Sequence, residues 1–276
     1  MADIVYRLTF ATAKTLFKVG KLTIDMEGTE HIPAEGGAVL AFNHNSYLDF
    51  IVAGYPGERR RRFTRFMAKR EVFDHRIGGL VMRSFHHLSV DRADGAESLE
   101  VAADACRRGE IVGIYPEATI SRSFLIKDLK TGAARIAARA GVPLIPAVHF
   151  GAHRFQTKDH DRDFARGRTI VIRIGEPLYP TGEDPVAETD ELRRRMEALL
   201  DEAIQAYPDK EPGAWWLPAT YGGSAPTISE ASQLEEEEKR VRAERKQARS
   251  SGSAGSAGSS GLSRAVRRFA KRKRDA

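Results

Sequence analysis

Between residues 22 and 180, short apolar runs of strand length alternate with stretches whose apolar residues recur at helical spacing. No other feature constrains this chain as much. The runs at 22–26, 38–42, 63–68, 87–90, 111–115, 143–149 and 169–174 read as strands, the last closed by Gly175-Glu176-Pro177. Helical patterns fall at 48–54, 77–85, 95–108 and 130–140, and a charged helix at 188–207 places Leu192, Met196, Leu199, Leu200 and Ala203 on its apolar side. Strand and helix in alternation predict the α/β class: a mixed, largely parallel sheet layered with helices, since parallel neighbours need a crossover that a helix can supply.

The flanks have a different character. Residues 1–21 read as an amphipathic basic helix, with Ile4, Val5, Leu8, Ala11, Leu16 and Val19 among Arg7, Lys14, Lys18 and Lys21. Such a helix either lies on a bilayer or packs on the domain at 22–228. Both tryptophans, Trp215 and Trp216, sit in an irregular segment, where they seal the edge of the core or anchor at a membrane interface. Residues 229–249 mix Glu235 to Glu238 with Lys239, Arg240, Arg242, Arg245 and Lys246, the composition of a solvated helix. A Gly/Ser/Ala linker at 250–261, expected to be disordered, leads to a tail at 262–276 with Leu262, Val266, Phe269 and Ala270 set among basic residues.

The formal net charge is +6, and residues 263–276 alone hold seven basic side chains against Asp275. The tail therefore carries the whole excess, and the basic balance is no evidence that the domain binds polyanions. A single cysteine, Cys106, excludes an intramolecular disulfide or a cysteine-rich metal site and fits a reducing cytoplasm. No apolar stretch approaches ~18 residues and no signal peptide is read at the N-terminus, so any membrane contact is expected to be peripheral.

Chemistry is concentrated where the strand Ala38 to Phe42 gives way to Asn43-His44-Asn45-Ser46-Tyr47-Leu48-Asp49. A histidine titrates near neutrality, with an ordinary pKa of ~6.5, and a carboxylate on one ring nitrogen makes the other an acceptor. On one continuous helix His44 and Asp49 would lie roughly 140° apart, so they meet only if the chain turns from strand to helix between them. Ser46 is the natural N-cap for that turn and, with Asp49 three positions on, makes an acidic capping box. A second reading leaves Asp49 as a helix cap and His44 as a hydrogen-bonded loop residue.

This run, followed in order by Ala68-Lys69-Arg70-Glu71-Val72-Phe73, Val90-Asp91-Arg92, Tyr115-Pro116-Glu117-Ala118-Thr119, Lys130-x-Gly132-Ala133 and Val142-Pro143-Leu144-Ile145-Pro146, resembles the glycerolipid acyltransferase family over roughly residues 25–180. The lysophosphatidate acyltransferases are its best-known members. The resemblance implies an acyltransferase that uses acyl-CoA or acyl-carrier protein as donor and the hydroxyl of a phosphate-bearing glycerolipid as acceptor, with no other cofactor and no metal. It makes His44 the general base and Asp49 its orienter. It assigns Arg92 to the acceptor phosphate, with Lys69 and Arg70 as further candidates for that anion. Glu117 and Thr119 become residues of the acceptor site.

The usual Glu-Gly-Thr-Arg of the family reads Glu117-Ala118-Thr119-Ile120 here, so Ile120 stands where the motif has arginine. Arg122, two residues on, is the candidate replacement. The departure keeps glycerol-3-phosphate or a mannosylated lipid open as acceptor beside lysophosphatidate. The expected location is the cytoplasmic face of a membrane, held by an anionic lipid surface that the tail attracts by up to ~1 kcal/mol per basic residue. A second basic run, Arg59 to Arg62 with Arg65, is expected near the site, facing headgroups or water. A non-enzymatic anionic-lipid or nucleic-acid binder is the alternative class, but the tail's one aromatic, Phe269, is not the interleaved series that a nucleic-acid stacking platform requires.

Overall fold

The structure is a computed structural model that describes residues 2–91 and 95–250. The linker and tail expected at 250–276 therefore lie outside the described residues, apart from the backbone of Ser250.

Seven strands form one sheet in the order β1-β7-β6-β2-β5-β3-β4, with β1 Thr23–Glu27, β2 Ala38–Phe42, β3 Thr64–Lys69, β4 Leu88–Val90, β5 Ile111–Ile114, β6 Leu144–Phe150 and β7 Thr169–Ile174. Strands β2 to β6 are parallel to one another; β7 runs antiparallel to β6, and β1 is parallel to β7. Every strand legible in the sequence is present, in the mixed, largely parallel sheet that the alternation predicts.

The helices are α1 Ala2–Val19, α2 Asp49–Arg59, α3 Arg70–Asp74, α4 Arg76–Ser84, α5 Gly95–Arg107, α6 Gly132–Ala140, α7 Pro185–Ala206 and α8 Ile228–Ser250. Two cores result. Val39 and Ala41 of β2 face the one built with α5, α6 and α7, while Ala38, Leu40 and Phe42 face the one that includes Val52 and Ala53 of α2. An uninterrupted apolar run suits such a central strand, because both of its faces are covered. Asp184 caps α7 by accepting from the N–H groups of Val186 and Ala187, and Pro185 takes the first turn, where its missing donor costs nothing. The short α3 has too few turns to display a helical period, and the sequence did not reveal it.

α1 packs on the domain and leaves a set of apolar side chains uncovered. Tyr6 and Phe10 are buried, stacked on each other at 4.9 Å, with Tyr6 against Phe63 and Phe85. Gly54 of α2 permits that approach, since a Cβ there would stand 2.9 Å from the Phe10 ring. Ile4, Leu8, Leu16 and Val19 remain exposed. The tryptophans serve the core: Trp216 is buried beside Phe150 and Tyr207, with the Arg154 guanidinium 4.1 Å from its ring, and half-buried Trp215 stacks on His160 at 3.8 Å.

Candidate active site

Because β2, β5 and β6 are parallel neighbours, the residues leaving their carboxyl ends gather along one edge of the sheet, where open α/β folds place their ligands. His44 leaves β2 there, Tyr115 to Glu117 leave β5, and His149 is the next-to-last residue of β6.

His44 Nδ1 lies 2.8 Å from Asp49 Oδ2 across the corner between β2 and α2. The same oxygen accepts from the backbone N–H of Asn45 at 2.7 Å and of Ser46 at 2.9 Å. A carboxylate offers only acceptors, so Nδ1 carries the proton and Nε2 is left as the basic nitrogen. Asp49 is 1% exposed, while the His44 side chain keeps 23% of its surface open. Burial by itself would raise the Asp49 carboxyl, but the imidazoles of His149 and His44 outweigh it and hold the group well below the usual carboxylate range. The arrangement can take up a proton at Nε2 and stabilise the imidazolium formed.

The capping prediction is corrected in part. Asp49 does reach back to the Ser46 N–H, but the N-cap of α2 is Leu48 and no side chain caps the helix. The Ser46 hydroxyl instead donates to the Gln156 carbonyl at 2.6 Å and accepts from the Leu48 N–H at 3.0 Å. Tertiary contact with the loop after β6 competes for the same oxygen and wins it.

Glu117 is buried and frames His44 from β5. Its Oε1 accepts from the His44 N–H at 2.8 Å and its Oε2 from the Lys127 N–H at 3.2 Å. Burial pushes its carboxyl up to about 8, against the pull of those two amides and of the Lys127 charge. The Ser121 N–H donates to the His44 carbonyl at 2.7 Å, so the loop after β5 holds the His44 backbone on both sides. The Tyr115 ring stacks on the His44 ring at 4.5 Å and on Phe66 at 5.8 Å.

The remaining candidates separate. Ile120, at the motif arginine's position, is buried. Arg122 is buried too, its Nε 2.5 Å from Asp159 Oδ2 and one Nη 3.0 Å from Glu238 Oε2. Thr119 accepts from Lys127 Nζ at 2.6 Å. Lys69 is exposed at the carboxyl end of β3, two strands from β2, and Arg70 beside it pairs with Glu97 at 3.5 Å. Arg92 lies outside the described residues.

The basic run at Arg59 to Arg62 is not near the site. Arg62 bonds the carbonyls of Pro33, Gly36 and Gly109, which precede β2 and β5, and so ties loops at the amino edge of the sheet. Arg65 is buried, pairing with Glu110 at 3.0 Å and donating to the Phe85 carbonyl. Parallel strands make the two edges chemically distinct, and these residues enter β3 rather than leave it.

Sequence reasoning missed His149. Its Nε2 stands 3.1 Å from Asp49 Oδ1, off the line of a hydrogen bond, and its backbone exchanges two hydrogen bonds with the Asn43 side chain. Only its place in an otherwise apolar strand signals it. Among the described residues no cluster of acidic, histidine or cysteine side chains is arranged to hold a metal ion.

Comparison with known proteins identifies the family. The acyltransferase family profile matches residues 23–149, which include both imidazoles, Asp49 and Glu117. A 1-acyl-sn-glycerol-3-phosphate acyltransferase from Bacillus subtilis (strain 168) is 32% identical over 64% of this chain and 87% of that protein. A chloroplast protein of the same description from Brassica napus is 26% identical over 62% of this chain, which spans about half of it, 49%. The crystal structure of the 1-acyl-sn-glycerophosphate acyltransferase PlsC from Thermotoga maritima superposes with a TM-score of 0.56 over 71% of this chain and 81% of that one, at 22% identity, a likeness of fold. With His44, Asp49 and Glu117 inside the matched segment, the chain belongs to the acyltransferase family that contains the 1-acyl-sn-glycerol-3-phosphate acyltransferases.

Proposed function

We propose that this protein transfers a fatty acyl group from a thioester donor, acyl-CoA or acyl-carrier protein, to the free hydroxyl of a 1-acylglycerol-3-phosphate in phospholipid synthesis. The observation that carries this is the 2.8 Å contact between His44 Nδ1 and a buried Asp49, which leaves one basic nitrogen on a partly open side chain. In the proposed step His44 Nε2 takes the acceptor's hydroxyl proton as its oxygen bonds to the thioester carbon. The C–S bond then breaks, and the departing sulfur takes the proton back from the imidazolium. Asp49 keeps the ring in the required tautomer throughout.

The acceptor's phosphate is assigned to Arg122 and Thr119 beside the catalytic corner, with Arg92 and Lys69 as further cations and Glu117 shaping the loop. The burial of Ile120 favours a second reading for the acceptor alone, glycerol-3-phosphate or a mannosylated lipid, because the motif arginine's charge is missing at that point. The proposed location is the cytoplasmic face of a membrane; attachment to a membrane surface is supported by the exposed apolar residues Ile4, Leu8, Leu16 and Val19 of α1 beside exposed Arg7, Lys14 and Lys18, and by exposed Tyr47 and Phe50 at the catalytic corner. No described helix is long and apolar enough to cross a membrane.

The test is release of thiol from acyl-CoA, or from acyl-carrier protein, that depends on added lysophosphatidate. His44→Ala is expected to lower turnover on the order of 10²–10⁴-fold in a folded protein. An undiminished rate would remove His44 from the chemistry.

A further inference from the structure

α8 makes little apolar contact with the domain. Among its described side chains only Ala231 is buried, with Leu234 and Val241 half-buried on the same stripe. What the helix brings is a pair of carboxylates one turn apart. Glu235 Oε1 lies 2.7 Å from Lys127 Nζ, and Glu238 Oε2 lies 3.0 Å from an Arg122 Nη and 3.2 Å from Lys158 Nζ. The Thr119 hydroxyl reaches Glu235 Oε2 at 3.4 Å. These five charged side chains are 6 to 14% exposed, whereas Arg240, Arg242 and Glu244 of the same helix are 66 to 74% exposed.

The charges resemble those of a ligand site. Arg122, Lys127 and Lys158 supply three positive charges, and Asp159 on Arg122 cancels one, which leaves two. Two carboxylates match that remainder, and so does one phosphomonoester, which carries about −1.5 to −2 at neutral pH. Arg122 also keeps a buried Nη without an acceptor, a donor that the two glutamates do not satisfy. Desolvating ion pairs brings little net stability, so a helix held this way exchanges readily with another anion. The loop that carries Thr119, Arg122 and Lys127 is bonded to the His44 backbone, which places the cluster beside the proposed base.

We propose that α8 is a displaceable strap: Glu235 and Glu238 occupy an anion site formed by Arg122, Lys127, Lys158 and Thr119, and the acceptor's phosphomonoester enters by exchanging with them. The assignment of that anion as acceptor rests on the acyltransfer reading; the exchange itself does not. Closed, the strap keeps the site from free phosphate, and a lipid acceptor that also gains apolar contact displaces it more effectively.

The test uses the full chain, Glu235→Gln/Glu238→Gln, and Ala231→Arg, which undocks α8 without touching the ionic groups. Inorganic phosphate, glycerol-3-phosphate and lysophosphatidate are titrated by calorimetry, and trypsin cleavage at Lys239, Arg240 and Arg242 is followed in parallel. If the strap is closed about nine-tenths of the time, either variant binds each phosphomonoester roughly tenfold more tightly than the parent. Both variants should be cleaved readily without ligand, and the parent should become cleavable as phosphomonoester is added, at lower concentration for lysophosphatidate than for the other two. Unchanged affinity in a folded variant, or parent cleavage indifferent to saturating phosphomonoester, overturns the strap. Exchange without acyl transfer to any acceptor would refute the enzymatic reading and leave the strap standing; acyl transfer without exchange would do the reverse.

Discussion

His149 Nε2 stands 3.1 Å from Oδ1 of Asp49, the carboxylate oxygen that His44 does not use, so one buried acid lies between two imidazoles. The His149 imidazole is the first of the influences that hold the Asp49 carboxyl low. A carboxyl depressed in the folded state contributes stability above its unfolded pKa and loses it as pH falls through the folded value. His149→Phe removes part of that depression, so the acid-unfolding midpoint is expected to move to higher pH, together with a loss at neutral pH of about 1.4 kcal/mol for each pH unit of depression removed. Circular dichroism during acid titration reads the first effect and urea unfolding the second. An acid midpoint at the parent's pH would show that His149 does not act on Asp49.

Asp49→Asn separates orientation from packing. The amide oxygen can still accept from the N–H groups of Asn45 and Ser46, but the amide group no longer charges the imidazole and permits the wrong tautomer of His44. Turnover should fall on the order of 10³–10⁴-fold while the fold, checked by near-ultraviolet circular dichroism, persists. A loss below about tenfold would leave Asp49 as no more than a structural acceptor for the Asn45 and Ser46 N–H groups.

Glu117 gives a pH dependence of the opposite sign. Its carboxyl is raised from 4.5 to about 8 in the folded chain, so the stability tied to its protonation is complete below pH 4.5 and drains away as pH rises toward 8. The slope from one proton is at most about 1.4 kcal/mol per pH unit. Glu117→Gln should remove it, so the difference in unfolding free energy between variant and parent shifts in the variant's favour from about pH 5 to about pH 8. Taking that difference cancels the buried His87 and His153, whose lowered values act equally in both proteins. A difference constant with pH contradicts the assignment.

Gly113 of β5 pairs with Phe66 of β3, and a Cβ there would lie 2.5 Å from the Phe66 ring and 2.6 Å from Thr64. Gly113→Ala therefore overpacks the sheet, at an expected cost of about 1–3 kcal/mol. Because Phe66 stacks on Tyr115 and Tyr115 on His44, the displaced ring should also disturb the base and lower turnover. Thermal unfolding with steady-state rates checks both; wild-type stability would show that the ring yields freely.

The strands were legible because each buries its faces with a period its own residues carry, and the corner at His44 was legible because two residues five apart meet only across a change of element. Ser46 illustrates the limit: its propensity named a cap, and a carbonyl 110 residues away took the hydroxyl. Local periodicity states that a face is buried, but not what covers it. The sequence by itself determined the seven strands, the α/β class and the His44–Asp49 pair. Tertiary structure alone decided that His149 joins that acid, that Arg62 serves the opposite edge of the sheet, and that Glu235 and Glu238 close over Arg122, Lys127 and Lys158. Those pairings join segments separated by up to 116 residues, and no local preference records which charges will be desolvated together.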